Sequence, residues 1–151
     1  MDGQTVFSIS HPWFTAEGEE GGKPAMFRGR QIPVEFIGDS ALPHLFVIAL
    51  AFDVVDFTGL PTEAQYKTIK DFESLYVDQV EDARIGIVAF IKTCNGVVQY
   101  FLYVSDEDAV SSLFVARSAA DLRVELAAAY DPEWREYRSF LGGARRDDSS
   151  R

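Results

Sequence analysis

The 151-residue sequence contains one cysteine, two histidines and no long apolar run. Cys94 alone cannot form an intramolecular disulfide or a thiolate cluster for zinc or iron–sulfur, which makes a reducing cytoplasm the default compartment. His11 and His44 are not spaced as metal ligands. The longest apolar stretch, Leu45 to Phe52, is far too short to cross a bilayer. These shortages predict a soluble cytoplasmic protein with no cofactor and no membrane association.

Basic residues are also scarce, with 14 Lys and Arg against 24 Asp and Glu and a net charge of −10. Eight acids but only two lysines lie between Asp53 and Asp82. Nucleic-acid affinity comes largely from basic side chains that neutralise phosphates, so the sequence predicts no nucleic-acid binding. The small basic clusters Arg28/Arg30 and Arg145/Arg146 are expected at the surface. The acidic excess favours either a basic protein partner or simple solubility.

What the chain does contain is enough apolar material for a core. Hydrophobic residues make up 47% of the sequence and aromatic residues 13%, which is typical of a packed protein rather than a disordered one. The length fits one domain. We therefore expect a single α+β domain over residues 1–141. Gly142-Gly143 is predicted to end the last helix, leaving 142–151 as a flexible C-terminal tail.

Turn formers and apolar runs divide the first third of the chain. Residues 4–14 and 26–37 are predicted strands, joined by a polar loop over 15–24. Pro33 cannot donate to a sheet ladder, so it indicates an edge position or a break in the second strand. The run 42–57 lacks a helical period and predicts a strand covered on both faces, with a buried helix as the alternative.

A helix and a hairpin are predicted next. Thr62 is a plausible N-cap, and the apolar positions that follow step by three or four residues and define one buried stripe. Its members are Tyr66, Ile69, Phe72, Leu75, Tyr76 and Val80. The strands 85–93 and 97–104 flank Asn95-Gly96, a strong signal for a type I′ turn because both turn residues need positive φ.

The last third repeats the alternation. Ser105 with Asp108 predicts the cap of a short helix, and 122–128 alternates as a half-exposed strand. Asp131-Pro132 is typical of a helix start. Trp134, Tyr137 and Leu141 fall on one face of that helix and are expected to dock on the body.

From Leu42 onward the predicted order is strand, helix, strand, strand, helix, strand. That order indicates a ferredoxin-like βαββαβ core, an antiparallel sheet with two helices on one face. An N-terminal β-hairpin and a short C-terminal helix are added to it. Central strands that are apolar on both faces need a second cover, which the N-terminal hairpin, the C-terminal helix or another subunit could supply. We expect a homodimer, with the hairpin folding over the sheet as the rival explanation.

Five segments along the chain form a further pattern. They are Glu20-Gly21-Gly22-Lys23-Pro24-Ala25, Gly59-Leu60-Pro61, Thr93-Cys94-Asn95-Gly96, Tyr100-Phe101-Leu102-Tyr103-Val104 and Asp131-Pro132-Glu133-Trp134-Arg135-Glu136-Tyr137. The last, an acidic-Pro-acidic-Trp sequence followed by Tyr, is the most specific. Together they resemble a bacterial family known as domain of unknown function number 695, and they cover most of the chain in the family's order. The resemblance implies a ferredoxin-like α+β fold without an established activity or catalytic residues.

No catalytic, cofactor-binding or metal-binding residue is assigned from the sequence. Cys94 lacks an activating base nearby, with only Lys92 close in sequence. We expect a non-enzymatic protein-binding or regulatory module with an acidic surface. Its candidate partner-binding residues are Glu63, Asp71, Asp78, Asp82, Phe101 and Tyr103. The alternative is a metal-assisted hydrolase or nuclease-associated enzyme that uses Asp78 and Asp82, four residues apart on one helix face, with further oxygen ligands.

Overall fold

The computed structural model of the chain describes residues 5–7, 11–115 and 123–149. Its strands are β1 (Trp13–Glu20), β2 (Lys23–Arg30), β3 (His44–Ala51), β4 (Gly86–Cys94), β5 (Val97–Val104) and β6 (Arg123–Tyr130). Its helices are α1 (Glu63–Phe72), α2 (Asp78–Asp82), α3 (Glu107–Val115) and α4 (Arg135–Ser149). Within the described residues, six strands form one antiparallel sheet in the order β1-β2-β4-β5-β3-β6. The predicted mixed α and β class is confirmed, with two more strands in the sheet than a four-stranded core has.

The strands β1 and β2 form a hairpin whose limits correct the predicted ones. They pair in register up to Glu20↔Lys23, so most of 15–24, predicted as a loop, is strand. Gly21 and Gly22 make the turn with φ of 57° and 81°. Two consecutive positive φ values are the type I′ geometry, and Gly-Gly is one of its favoured pairs. The acids of 15–24 indicated a loop, but on an edge strand they reach solvent and oppose aggregation.

The central strands agree better with the prediction. Asn95 and Gly96 have φ of 45° and 85° and connect β4 to β5, which confirms the predicted hairpin. Strand β3 is confirmed but is shorter than the predicted 42–57 run. The break at Pro33 is also confirmed, because β2 ends at Arg30 and a 3₁₀ turn over Val34–Phe36 follows the proline.

A long helix follows, made of α1, a π-helical segment over Glu73–Val77 and α2. Thr62 caps it as predicted, within a capping box in which Gln65 reaches back to the Thr62 N–H. The π segment was not predicted, and it changes which residues are buried. Leu75, placed on the buried stripe by its spacing, is 55% exposed, whereas Val77 is buried.

The short helix α3 is capped differently from the prediction. Asp106 Oδ1 accepts hydrogen bonds from the N–H groups of Asp108 and Ala109 at 2.9 and 3.2 Å. Ser105, the predicted cap, instead donates its Oγ hydrogen to the Ile85 carbonyl at 3.3 Å. Serine and aspartate are both good N-cap residues. Ser105 is unavailable to the helix, because its hydroxyl bonds Ile85 and the residue before it pairs with β4. Leu122, the predicted start of the last strand, lies outside the described residues.

Each face of the sheet carries its own buried core. The long helix and α3 cover one face, with Ile69, Phe72, Val77, Val80 and Val110 against Phe46, Ile48, Leu50, Val88, Tyr100 and Leu102. The opposite face packs against the α4 region and the β2–β3 connection, with Trp134, Tyr137, Ile32, Phe36 and Leu42 against Leu45, Ile87, Ala89, Phe90 and Tyr103. The sheet therefore lies between two layers, as strands apolar on both faces require.

The segment before α4 anchors the second layer. Trp134 is fully buried, stacks on Tyr103 with ring centroids 4.4 Å apart, and donates its indole N–H to the Leu42 carbonyl at 2.9 Å. Asp131 accepts from the N–H groups at the start of α4, as its predicted capping role requires. The predicted end of the helix at Gly142-Gly143 is wrong, because α4 continues to Ser149. A flexible tail over 142–151 stays a prediction.

The cover over the second face also bears on assembly. A homodimer was expected because that face needed a partner, and Trp134 and Tyr137 of this chain fill it instead. The hairpin does not fold over the sheet but extends it. Dimerisation therefore stays a prediction that no longer has its original reason. Among the described residues, no helix combines the length and the apolar character that crossing a membrane requires.

A substitution at Gly29 tests the close packing of α4 against the hairpin. A Cβ atom there would lie 2.5 Å from Phe14 Cζ and 2.6 Å from Phe140 Cε2. We expect Gly29→Ala to lower the free energy of unfolding by about 1–2 kcal/mol through overpacking, measured by urea denaturation. The control is Gly18→Ala in β1, whose Cβ would be 3.4 Å from Phe27 Cε2. Equal stability of the two variants would contradict the close packing of Phe140 on β2.

Candidate functional site between the hairpin and the long helix

The β1–β2 hairpin and the long helix are joined by two ion pairs on one face of the sheet. Arg28 Nη2 donates to Glu73 Oε2 at 2.8 Å, and Arg30 Nη2 donates to Glu81 Oε1 at 2.9 Å. Alternate residues of a strand share a face, which places both guanidinium groups opposite the helix. These pairs fix the distance between the hairpin and the helix and define a groove between them.

The arginines are held from both sides. The Trp13 ring lies 4.5 Å from the Arg30 guanidinium carbon and 5.8 Å from that of Arg28, within cation–π range. The Arg30 side chain is only 13% exposed. The expectation that Arg28 and Arg30 form a surface cluster is therefore wrong for Arg30, whereas Arg28 is partly exposed and paired with Glu73. The side chains of Arg145 and Arg146 lie outside the described residues.

Tyr100 completes this polar row beneath the helix. Its hydroxyl donates to Glu73 Oε2 at 3.1 Å, the same oxygen that accepts from Arg28. Burial, followed by the Glu73 carboxylate, raises the pKa of the Tyr100 phenol far above its ordinary value. Tyr100 therefore stays protonated and acts as a hydrogen-bond donor at any physiological pH.

A mostly apolar cavity of about 260 Å³ opens beside this row, at the N-terminal end of α1. We call it the hairpin–helix groove. Tyr66 and Met26, which both line it, are 44% and 39% exposed. Such exposure of large apolar side chains beside a concave surface is typical of a binding site. The groove is lined by Thr15, Met26, Phe27, Arg28, Leu60, Pro61, Tyr66, Ile91 and Thr93.

The predicted acidic residues lie on the exposed side of the same helix. Glu63, Asp71, Asp78 and Asp82 are all solvent-exposed, and none of the described residues forms an ion pair with them by direct contact. Glu63 and Asp71 also border a shallow concavity of about 530 Å³ that includes Tyr66, Lys67 and Lys70. The sequence therefore predicted the exposed acids correctly but missed the groove beside them.

The pKa of Asp78 reflects the excess of negative charge on this surface. Partial desolvation of the carboxyl, followed by the like charges of Glu73, Glu81 and Asp82, raises the pKa of Asp78, and Arg30 lowers it only in part. The negative charges around Asp78 therefore outweigh the nearby arginine. The ion pairs with the hairpin leave a net negative field on this side of the helix.

Of the two predicted partner-binding aromatics, Tyr103 lies in the core and Phe101 is partly buried against it. Phe101 stacks on Phe90 with ring centroids 4.2 Å apart. Tyr103 is fully buried, and its hydroxyl donates to Asp131 Oδ2 at 2.7 Å. Contact of Tyr103 with a partner would require α4 to leave the sheet.

The chemistry of the other reactive groups is limited. Burial, followed by Glu20, raises the pKa of the half-buried Cys94 thiol, and Lys92 is paired with Glu20 at 3.0 Å. A raised thiol pKa opposes nucleophilic catalysis at neutral pH. Among the described residues, no three His, Cys, Asp or Glu side chains converge as a metal site. Asp78 and Asp82 therefore find no third ligand within the part of the chain that is described.

A second cavity, of about 660 Å³, lies at the end of the hairpin, and we call it the strand-end pocket. It is lined by Val6, Phe7, His11, Pro12, Trp13, Arg30, Glu81, Asp82, Arg84 and Ile87. The sequence showed only that His11 is not spaced as a metal ligand, and it did not place His11 near Arg30 or Arg84. These residues come from separate parts of the chain, and no local spacing signals their convergence.

Comparison with known proteins identifies a family. A family model described as a family of unknown function, DUF695, matches residues 12–142. The match confirms the resemblance found in the sequence and spans both the hairpin and the start of α4. Neither a curated protein nor a solved structure shows significant similarity to the chain.

Asp78 supplies a test of the acidic field. The raised pKa in the folded protein means that this carboxyl favours folding at low pH, and that the contribution is lost as pH rises through the folded pKa. We expect Asp78→Asn to raise the melting temperature at neutral pH, because it removes an ionised group that folding disfavours. The gain should vanish below about pH 3, where the carboxyl is protonated in both states.

The matched control for that measurement is Asp71→Asn, which removes the same charge from the exposed surface of the same helix. A smaller gain at Asp71 is expected. A melting temperature that falls on substitution of Asp78 at neutral pH would show that its charge is compensated in the folded protein.

Proposed function

The chain belongs to DUF695, a family of unknown function, and we propose that it is a non-enzymatic protein-binding or regulatory module that recognises a basic partner. The observation that carries the proposal is the hairpin–helix groove, an apolar cleft that shares Pro61 and Tyr66 with the concavity bordered by the exposed acids Glu63 and Asp71. The recognised element is an extended or helical segment with an apolar anchor flanked by lysine or arginine.

The groove supplies the apolar part of such an interface. Protein interfaces concentrate their binding energy in a few large side chains that fill pockets, with polar residues at the rim. Met26 and Tyr66 are partly exposed in its lining, to which Leu60 and Pro61 also contribute. A volume of about 260 Å³ accommodates one large side chain rather than a whole substrate.

The helix supplies the charge. Glu73 and Glu81 form ion pairs with Arg28 and Arg30. The exposed acids of the helix therefore remain available to a partner. Complementary charge at a rim raises association rates and disfavours wrong partners. An acid such as Asp78, kept ionised at a cost in stability, fits a surface maintained for binding.

A finer description of the fold accompanies this proposal. We infer that β3, α1, β4, β5, α3 and β6 form a ferredoxin-like core, to which the hairpin adds two strands. The strand order β4-β5-β3-β6 supports it, because the second and third strands of the motif pair as a hairpin and the first strand lies between the third and the last. Function does not follow from that fold alone.

The proposal is tested with a library of displayed random peptides. Enriched peptides should carry basic residues around an apolar one, and their affinity, measured by fluorescence anisotropy, should fall as salt increases. A variant with Glu63→Gln, Asp71→Asn, Asp78→Asn and Asp82→Asn should bind about tenfold more weakly, since each exposed pair contributes about 0.3–0.5 kcal/mol. Tyr66→Ala should weaken binding without changing its salt dependence.

A control variant removes the same number of charges elsewhere. Glu35, Glu125, Glu133 and Glu136 are exposed acids away from the long helix, and their replacement by glutamine should leave affinity nearly unchanged. Enrichment of acidic or neutral peptides would reject a basic partner. Equal weakening by the two charge variants would reject the helix surface as the binding site.

A further inference from the structure

Strand β6 forms one outer edge of the sheet and is exposed on both of its faces. Among the described strands it pairs with β3 alone, and all of its residues except Val124 are exposed. Its two largest apolar side chains, Leu126 and Tyr130, are 37% and 73% exposed. The layers that cover the central strands therefore do not bury β6.

The hydrogen-bond alternation of β6 shows which backbone groups face outward. The Asp131 N–H donates to the Pro43 carbonyl at 2.9 Å, one position beyond the pair of Tyr130 with His44. Backbone groups of an antiparallel strand alternate between its two sides, so the odd-numbered residues of β6 bond β3. The N–H and C=O groups of the even-numbered residues point away from the sheet, and no described residue pairs with them. These residues are Val124, Leu126, Ala128 and Tyr130.

The two edges of the sheet differ in how they oppose pairing with another chain. Edge strands are normally protected by charges, proline or a bulge. The β1 edge carries Glu17, Glu19 and Glu20 toward its end, and these acids would repel a second copy of the same edge. Residues 126–130 contain no charge, proline or glycine, and β6 pairs with β3 without a register shift. β6 is therefore the edge that is suited to accept another strand.

We propose that β6 pairs antiparallel with β6 of a second copy of this chain, giving a dimer with one continuous sheet. An antiparallel pair of identical strands has two-fold symmetry, which is the commonest symmetry of homo-oligomers. Strand addition gains its affinity from main-chain hydrogen bonds. The two-fold axis must therefore place outward-facing residues of one copy opposite outward-facing residues of the other.

The number of hydrogen bonds favours one register, in which the axis passes through Ala127. Val124 of one copy then lies opposite Tyr130 of the other, and Leu126 lies opposite Ala128. All four outward-facing residues pair, with two hydrogen bonds in each pair and about eight in all. The exposed Tyr130 ring packs on Val124 of the other copy, and pairs of an aromatic with a β-branched side chain stabilise sheets.

The charges favour the same register. Arg123 of one copy lies opposite Asp131 of the other, which is an unlike pair. An axis at residue 125 would place Glu125 opposite itself, and an axis at residue 128 would place it opposite Asp131. Like charges directly opposite each other destabilise a sheet. An axis at residue 126 would leave Tyr130 beyond the end of the other strand.

The register is tested with two cysteine variants in a Cys94→Ser background. Odd-numbered residues of the two copies face each other without hydrogen bonds, where Cα atoms are about 4.5 Å apart, within the range of a disulfide. Ala127→Cys should therefore form a disulfide-linked dimer on air oxidation, detected on a non-reducing gel. Ala129→Cys replaces an equally exposed alanine and should stay unlinked, because its two copies lie about 13 Å apart in this register.

The strength of association is measured by sedimentation equilibrium. Ala128→Pro removes one outward N–H from each copy, and an edge strand tolerates proline where that N–H faces solvent. Its dissociation constant should rise about thirtyfold through loss of two hydrogen bonds, with an unchanged circular dichroism spectrum as evidence that the fold is retained.

Charge at the axis supplies an independent test. Ala127→Glu should weaken association about tenfold, because two carboxylates meet there, whereas the neutral Ala127→Gln of the same size should not. A mixture of Ala127→Glu with Ala127→Lys should associate more tightly than Ala127→Glu alone. Ser139→Glu adds the same charge on the exposed side of α4 and should leave the dissociation constant unchanged.

Three results would overturn the proposal. They are a protein that stays monomeric at every concentration, equal crosslinking of Ala127→Cys and Ala129→Cys, or a dimer unaffected by Ala128→Pro. The dimer is also separable from the protein-binding function. The variant that lacks the four helix acids should dimerise normally, and Ala128→Pro should still bind basic peptides.

Discussion

The packing of Trp134 against Tyr103 is the interaction on which the two-layered structure depends. Strands β4 and β5 are apolar on both faces, and Trp134 lies at the centre of the layer that buries the face away from the long helix, stacked on Tyr103 of β5. Hydrogen bonds complete the attachment. Tyr103 donates to Asp131 and accepts from the Tyr137 N–H, while Tyr137 donates to the Arg30 carbonyl at the end of β2. Trp134 has φ of 58°, a strain of about 1–2 kcal/mol that its burial offsets.

That same attachment determines where binding surfaces remain. With α4 on the second face, Tyr103 is a core residue and Phe101 is partly buried, and the exposed charged groups lie between the hairpin and the long helix. There the acids divide into two groups by position. Glu73 and Glu81 face the sheet and bind hairpin arginines, whereas Asp78 faces solvent and gains no partner of comparable strength. The hairpin–helix groove lies beside Arg28, and the strand-end pocket lies beside Arg30 and Glu81.

The π segment shows why a correct helix prediction still misplaced a buried residue. An α-helix turns about 100° per residue, so Phe72 and Val77, five positions apart, would not share a face in a regular helix. The wider turn of the π segment brings both inward and leaves Leu75 outside. Packing of the helix on the sheet selects this arrangement, because it buries Val77 and Val80 in place of Leu75. Spacing rules assume one period and cannot predict such a change.

The types of neighbouring residues were sufficient to predict the elements that are set by the conformations of one or two residues. Asn95-Gly96, the Thr62 cap and the break at Pro33 each follow from the conformations that one or two residues allow, and each is present. The exposed acids of the long helix also follow from sequence, since charged side chains remain in water. The sequence alone did not show that Arg30 is covered by Trp13 and Glu81, or that His11 shares a pocket with Arg84. Those side chains are brought together by strand pairing and layer packing, and contacts between distant residues leave no periodic signal in the chain.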